Sequence, residues 1–177
     1  MTYIGHYTSP LGGITLSSDG AAITGLWFDG QKYFGATLPP DPKEQELPVF
    51  AQTRRWLDLY FRGDVPDFTL PLAPPKATVF RSAVWEILRT IPYGHTMTYG
   101  AIADQIAKQM GLASMSAQAV GGAVGHNPIS LLIPCHRVVG TNGSLTGYAG
   151  GIDKKIALLR LEKADISVLS VPKGGTR

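Results

Sequence analysis

One cysteine, Cys135, is the only thiol among 177 residues. That scarcity excludes an internal disulfide framework and any zinc site built from several cysteines, and a lone reduced thiol suits the cytosol. Long apolar runs are missing too. No stretch approaches the roughly 20 apolar residues that a membrane-spanning helix needs, and the N-terminus lacks the basic-then-apolar pattern of a signal peptide. A cytoplasmic protein with no membrane partner is expected. Charge of one sign is equally scarce, since 16 Lys and Arg against 13 Asp and Glu leave +3. The charge is unevenly placed: residues 1–77 carry six basic against eight acidic side chains, and residues 78–165 carry eight against five. The second half is the better candidate to meet phosphate.

What is present reads as two small domains. Residues 2–8, 13–18 and 22–28 alternate like short strands, with Ile14 and Leu16 set against Thr15 and Ser17. Turn signals at residues 9–12 and 18–20 join them into an antiparallel meander. A linker rich in proline and charge is expected over residues 39–46. Phe50, Leu57 and Phe61 then recur at helical spacing, with Trp56 and Tyr60 widening the stripe and Arg54 and Arg55 turned outward. Residues 67–72, DFTLPL, offer a further strand. His6 falls in a strand and reads as structural. The segment PLAPPK, residues 71–76, marks the boundary, because successive prolines do not sit inside an element. The expected division is an N-terminal domain over 1–75, a C-terminal domain over 76–165, and a disordered tail over 166–177.

Beyond the boundary the chain turns helical. Thr78 caps a helix with Val79, Phe80, Ala83, Val84, Ile87, Leu88 and Ile91 on one face, stopped by Pro92 and Gly94. Thr98 caps a second, with Ile102, Ala103, Ile106 and Met110 on its stripe and Gly111 at its end. Ser116 starts a third, in which Ala117, Val120, Gly121 and Val124 share a face. Two short helices joined by a turn are a helix-turn-helix arrangement, which also occurs in proteins that never touch DNA. The outer face of the third helix, Ala119, Gly122 and Ala123, has almost no side chain. Adjacent glycines cost a helix about 1 kcal/mol each relative to alanine. Such a surface admits close approach of another helix or of a groove wall. No long apolar face is left over, so a monomer is expected.

The chemistry concentrates in residues 127–139, NPISLLIPCHRVV. An apolar run leads to Pro134, which removes a backbone donor and forces a kink just before the thiol. A lone cysteine is ordinarily a small buried hydrophobe. It becomes a nucleophile when a base, a cation or a helix N-terminus favours its thiolate, and His136 and Arg137 stand next to it.

PCHRV, preceded by AVGGAVGHNP and followed by GSLTGYAGG, resembles the active-site region of the O6-alkylguanine-DNA alkyltransferases. The likeness extends upstream through PYGHTMTYGAIA and downstream to LLRLE, covering residues 78–162 with several motifs in order. It implies a ribonuclease-H-like α/β N-terminal domain, an antiparallel sheet plus helix, followed by an all-α C-terminal domain with a helix-turn-helix. It also implies an irreversible, single-turnover transfer of a methyl or small alkyl group from O6-alkylguanine, and less efficiently O4-alkylthymine, in duplex DNA to an internal cysteine.

Carried over by position, Cys135 matches the acceptor and His136 the histidine that takes its proton through a water. Glu162 matches the carboxylate that orients His136. It borders the apolar stripe of Leu158 and Leu159, where a carboxylate needs a buried partner. Asn127 matches the residue bracing the turn, and Tyr99 the donor to the departing guanine. Tyr148 matches a pocket wall. Backbone amides of residues 147–151, including Ala149 and Gly150, would serve the guanine oxygen, and carbonyls of Cys135 and Val138 its exocyclic amine. Ser116, Ala117, Gln118, Ala119 and Gly122 fall on the helix that the family lays in the minor groove. Gln118 stands where most members carry an arginine that fills the gap left by the extruded nucleotide. Lys154 and Lys155 are expected at backbone phosphate, and Arg137 at structure or phosphate. No cofactor is implied. Eukaryotic members can hold zinc in the N-terminal half, where this sequence has no cysteine, so no metal is expected.

Overall fold

A computed structural model describes residues 1–145 and 147–170. The chain divides into two compact units: residues 1–76 with Pro128–Ser130, and Ala77–Asn127 with the chain from Leu131 on. No helix among the described residues is long and apolar enough to cross a membrane.

In the first unit, β1 (Tyr3–Ser9), β2 (Gly12–Ser18) and β3 (Ile23–Phe28) form the antiparallel meander, in register from Tyr3 opposite Ser18 to Ser9 opposite Gly12. The Ser9 hydroxyl closes the first turn by donating to the Gly12 carbonyl at 2.6 Å. Ile14, Leu16, Leu26 and Phe28 are buried on one face, and Thr15, Ser17 and Trp27 are buried on the other. Helix α1 (Pro48–Phe61) starts with proline at its first position, where no donor is lost, and buries Val49, Phe50, Thr53, Leu57 and Tyr60. Full burial of each large apolar side chain stabilises the fold by about 1.5–3 kcal/mol. Gly5 leaves room for the helix: a Cβ there would meet the Phe50 ring at 2.9 Å.

The expected linker over 39–46 instead contains β4 (Lys43–Glu44), which pairs parallel with β1 and completes the order β3-β2-β1-β4. Both β4 residues are exposed, and the edge is held by backbone pairing together with the Glu44 carboxylate, 2.6 Å from His6 Nε2 on β1. Residues 67–72 do not form a strand. They touch the sheet at one bridge, where Ile23 N–H donates to the Pro71 carbonyl at 2.8 Å and its carbonyl accepts from Ala73 at 2.8 Å. Pro71 has no N–H with which to extend a ladder. Pro128–Ser130 joins this unit by exchanging two 2.9 Å hydrogen bonds with Leu26.

In the second unit, α2 (Val79–Leu88) begins at Thr78, whose hydroxyl accepts from Arg81 N–H at 3.1 Å. Its core face is Val84, Trp85, Ile87 and Leu88. Val79, expected on that face, is 77% exposed because the first turn stays at the surface. Helix α3 (Tyr99–Met110) is capped by Thr98 and ends where Gly111 takes φ 67°; Ala107 is buried on its stripe and Met110 is exposed. Helix α4 (Ala117–Gly125) is capped by Ser116 and packs against α2 and α3. Ala117, expected on its inner stripe, is exposed, whereas Ala123, expected outward, is buried, and its carbonyl accepts from the Trp85 indole at 2.9 Å.

The helical unit also holds a short parallel pair, β5 (Met97–Thr98) with β6 (Val138–Val139). Helix α5 (Ile152–Leu161) closes a second cluster of Val139, Leu145, Ile152, Leu159 and Ala164. Residues 166–170, expected in a disordered tail, are placed against this cluster. Ile166 and Leu169 pack on it, and Ser170 exchanges backbone hydrogen bonds with Gly143 and Leu145 at 3.0 and 2.8 Å. Residues 171–177, the rest of that expectation, lie outside the described residues.

Candidate active site

The backbone around the thiol is set by one carbonyl. Pro134 adopts φ −80° and ψ 68°, and the following N–H, that of Cys135, donates back to the Ile133 carbonyl at 2.8 Å. This is the geometry of an inverse γ-turn, which proline's fixed φ favours. The buried side-chain amide of Asn127 donates to the same carbonyl at 2.7 Å. Two donors on one acceptor lock the entry to a single turn of 3-10 helix, Cys135–Arg137. All three of its side chains turn into the protein, with Cys135 5% exposed and His136 fully buried.

Glu162, the residue that caps the C-terminus of α5, is the hub beneath them. Its Oε2 lies 2.6 Å from His136 Nε2 and accepts from Arg137 Nη2 at 3.0 Å. Its Oε1 accepts from Arg137 Nε at 2.8 Å and from the Gly94 backbone N–H at 3.1 Å. The remaining guanidinium donor, Nη1, reaches the Ile91 carbonyl at 2.7 Å. Burial alone would raise the carboxyl pKa, but hydrogen bonds from His136 and Arg137 and the charge of the guanidinium outweigh it and hold Glu162 well below the usual carboxylate range. Burial lowers the pKa of His136, against the pull of Glu162. The result is a neutral imidazole beside a carboxylate whose charge is balanced by a guanidinium. Because a carboxylate only accepts, His136 carries its proton on Nε2 and its lone pair on Nδ1.

Arg137 was expected at structure or phosphate. The structure assigns it the first: it is 8% exposed and committed to Glu162 and Ile91. The signal lay in Glu162 itself, since a carboxylate beside Leu158 and Leu159 demands a cation as well as a histidine.

The parallel pairing of Thr98 with Val139 brings the start of α3 beside the thiol turn. Tyr99, the first residue of α3, is pushed up to about 12 by burial and the charge of Cys135. Gly147, with φ 79°, passes so close that a Cβ would lie 2.8 Å from the Tyr99 hydroxyl. Tyr148 is buried, its ring edge-on to His136 at 6.4 Å between centroids, and a Cβ on Gly150 would meet that ring at 2.6 Å. Val138 is buried and Ala149 half-buried. Lys155, expected at phosphate with Lys154, is fully buried, with Nζ 6.0 Å from the Tyr99 ring centroid; Lys154 is half-buried. Nothing in its local sequence separates Lys155 from a solvated lysine.

Ser116, which caps α4, and Ala117, Gln118, Ala119 and Gly122 on it are all exposed. A Cβ on Gly122 would touch nothing within 4 Å, so this face is bare at the surface.

Two family profiles match in sequence order. One is the 6-O-methylguanine DNA methyltransferase ribonuclease-like domain over residues 2–74, and the other the DNA binding domain of the same family over 79–164. A methylated-DNA–protein-cysteine methyltransferase of Haemophilus influenzae is 43% identical over 91% of this chain and 86% of its own. Its Mycobacterium tuberculosis counterpart is 44% identical over 90% and 93%. The crystal structure of Mycobacterium tuberculosis OGT in complex with DNA superposes with a TM-score of 0.78 at 38% identity, covering 94% of this chain and 98% of that one. The chain belongs to the 6-O-methylguanine DNA methyltransferase family.

Proposed function

We propose that this protein repairs duplex DNA by moving a methyl or small alkyl group from the O6 of guanine, and less efficiently from the O4 of thymine, to Cys135 in a single irreversible turnover. The observation that carries this reading is the buried thiol set next to a neutral histidine, itself hydrogen-bonded at 2.6 Å to a charge-balanced carboxylate. A nucleophile with a base oriented by a third group is the general arrangement for activating a weak acid.

The target carbon is buried in the base stack, so the nucleotide must swing out at a cost of a few kcal/mol. The bare face of α4 suits the minor groove, where bulk has no room. His136 takes the thiol proton, and the sulfur attacks the alkyl carbon in line. The carbon–oxygen bond breaks with its electron pair passing to guanine, and the Tyr99 hydroxyl donates to the base as negative charge develops. Backbone amides at Ala149 and Gly150 would meet the oxygen, and carbonyls of Cys135 and Val138 the amine. The thioether left behind is a poor leaving group, so each molecule acts once, as a monomer and without a cofactor. With methylated duplex in excess, the protein is expected to give one burst equal to its own concentration. Continued turnover would contradict the reading.

Gln118 occupies the exposed second position of α4. If its amide fills the gap left by the flipped nucleotide, Gln118→Ala slows repair of duplex DNA and leaves the reaction with free O6-methylguanine base unchanged. Equal rates on duplex would remove Gln118 from the mechanism.

A further inference from the structure

The chain that follows α5 has no part in the mechanism above, yet it is built turn by turn. Lys163 takes φ 58° and Ala164 N–H donates to the Leu159 carbonyl at 3.0 Å, a left-handed cap that turns the chain back. Asp165 holds the next bend, its Oδ1 accepting from the backbone N–H and the hydroxyl of Ser167 at 3.0 and 2.6 Å. A third turn, with Leu169 N–H donating to the Ile166 carbonyl at 3.0 Å, delivers Ser170 to the turn at Gly140–Ser144. There Ser170 N–H donates to the Gly143 carbonyl at 3.0 Å, and its own carbonyl accepts from Leu145 N–H at 2.8 Å. The approach leaves no room for a side chain: Gly143 has φ 82°, and a Cβ on it would lie 2.6 Å from the Val168 carbonyl oxygen. The same turn meets α3 one residue after Tyr99, where a Cβ on Gly100 would lie 3.2 Å from the Thr141 hydroxyl oxygen.

We propose that residues 165–170 are a strap that holds the pocket loop against Tyr99 and thereby limits the bulk of the O6 substituent the site takes. This rests on the reading of residues 147–151 as the substrate loop. Leu145, which the strap holds, stands two residues before Gly147, and the loop's other end runs into α5 at Gly151. Between these anchors the loop is close-packed: a Cβ on Gly147 would lie 2.8 Å from the Tyr99 hydroxyl, and one on Gly150 would lie 2.6 Å from the Tyr148 ring. Where Leu145 sits therefore decides how much room the loop leaves beside the two tyrosines. With Ser170 withdrawn, Leu145 N–H loses its acceptor, and the loop can swing on Gly147 and Gly151, both of which take positive φ. A displacement on the order of 1 Å misplaces the groups that hold a small substrate, and that alone costs much of the rate. A bulky substituent suffers less, because the same movement gives it space.

The test compares wild type, Ser170→Pro and Ser170→Ala. Proline removes the N–H that the Gly143 carbonyl accepts, whereas alanine keeps it. Two quantities are read: hydrogen exchange of the Leu145 amide, and single-turnover transfer from duplexes carrying either O6-methylguanine or O6-benzylguanine. Ser170→Pro is expected to speed exchange at Leu145 about tenfold or more. It should slow methyl transfer about tenfold and benzyl transfer less, so that the benzyl-to-methyl rate ratio rises about threefold or more. Ser170→Ala should match wild type in every respect. Unchanged exchange at Leu145, or an equal loss on both duplexes, overturns the proposal, as does an alanine variant that behaves like the proline one. Should the Pro variant fail to fold, Leu169→Ser, which removes an apolar anchor of the strap, carries the same test, and an unchanged rate ratio there overturns it equally. A wild-type protein that transfers from neither duplex would instead overturn the reading of the site, while the exchange comparison would still stand, so the two failures are distinguishable.

Discussion

An Arg137→Met variant is expected to lose about 3–5 kcal/mol of stability, the cost of leaving a buried carboxylate without its cation. Against a total of about 5–15 kcal/mol for a typical domain, that is a large share. Methionine keeps most of the side-chain volume, so the loss reports charge rather than a cavity. The pH dependence has a definite sign. In the wild type the pKa of Glu162 lies below its unfolded value of about 4.3, so its contribution is complete above that pH and is lost as pH falls through the folded value. In the variant the folded pKa rises, and the stability deficit narrows on acidification. Without the guanidinium, Glu162 also draws a proton onto His136. The acid limb of the transfer rate, below pH 6.5 in the wild type because burial lowers the histidine pKa, should move up. Urea unfolding at two pH values and a rate profile of the folded fraction check both. A variant as stable as wild type with an unmoved acid limb would refute the role of Arg137.

Tyr99→Phe is expected to slow alkyl transfer by about 10²–10³-fold, the usual loss when one donor to a developing negative charge is removed. The ring remains, so stability and DNA binding should hold while the single-turnover rate falls. Binding measured by anisotropy and rate measured at saturating duplex separate the two. A rate within about threefold of wild type would mean that the departing guanine finds its proton elsewhere.

Much of this architecture is visible in local pattern. The meander shows itself in the alternation of β2 and in its turn signals, and α1 to α4 announce themselves by apolar spacing and by Thr78, Thr98 and Ser116 at the starts of α2, α3 and α4. Elements of only two residues leave no such trace. Strand β4 pairs through two exposed residues in a segment that reads as linker, and the β5–β6 pair is two residues on each side. Residues 166–170 are anchored by Ile166 and Leu169 and by the backbone hydrogen bonds of Ser170 to Gly143 and Leu145. Ala123 misleads because the indole that meets its carbonyl comes from 38 positions away. At the site, the need of Glu162 for a buried partner can be read from its leucine neighbours. The burial of Arg137 and Lys155 cannot, because a charged side chain looks solvated until the groups that face it are brought from elsewhere in the chain.

The central claim is that Cys135 is itself the acceptor, and mass spectrometry of the protein after incubation with a duplex carrying one O6-methylguanine tests it most directly. The account predicts a single methyl-sized increment on the Cys135 peptide, one per lesion lost, absent in Cys135→Ala. An unmodified Cys135 beside an intact lesion, or a lesion lost while the thiol stays free, would contradict it.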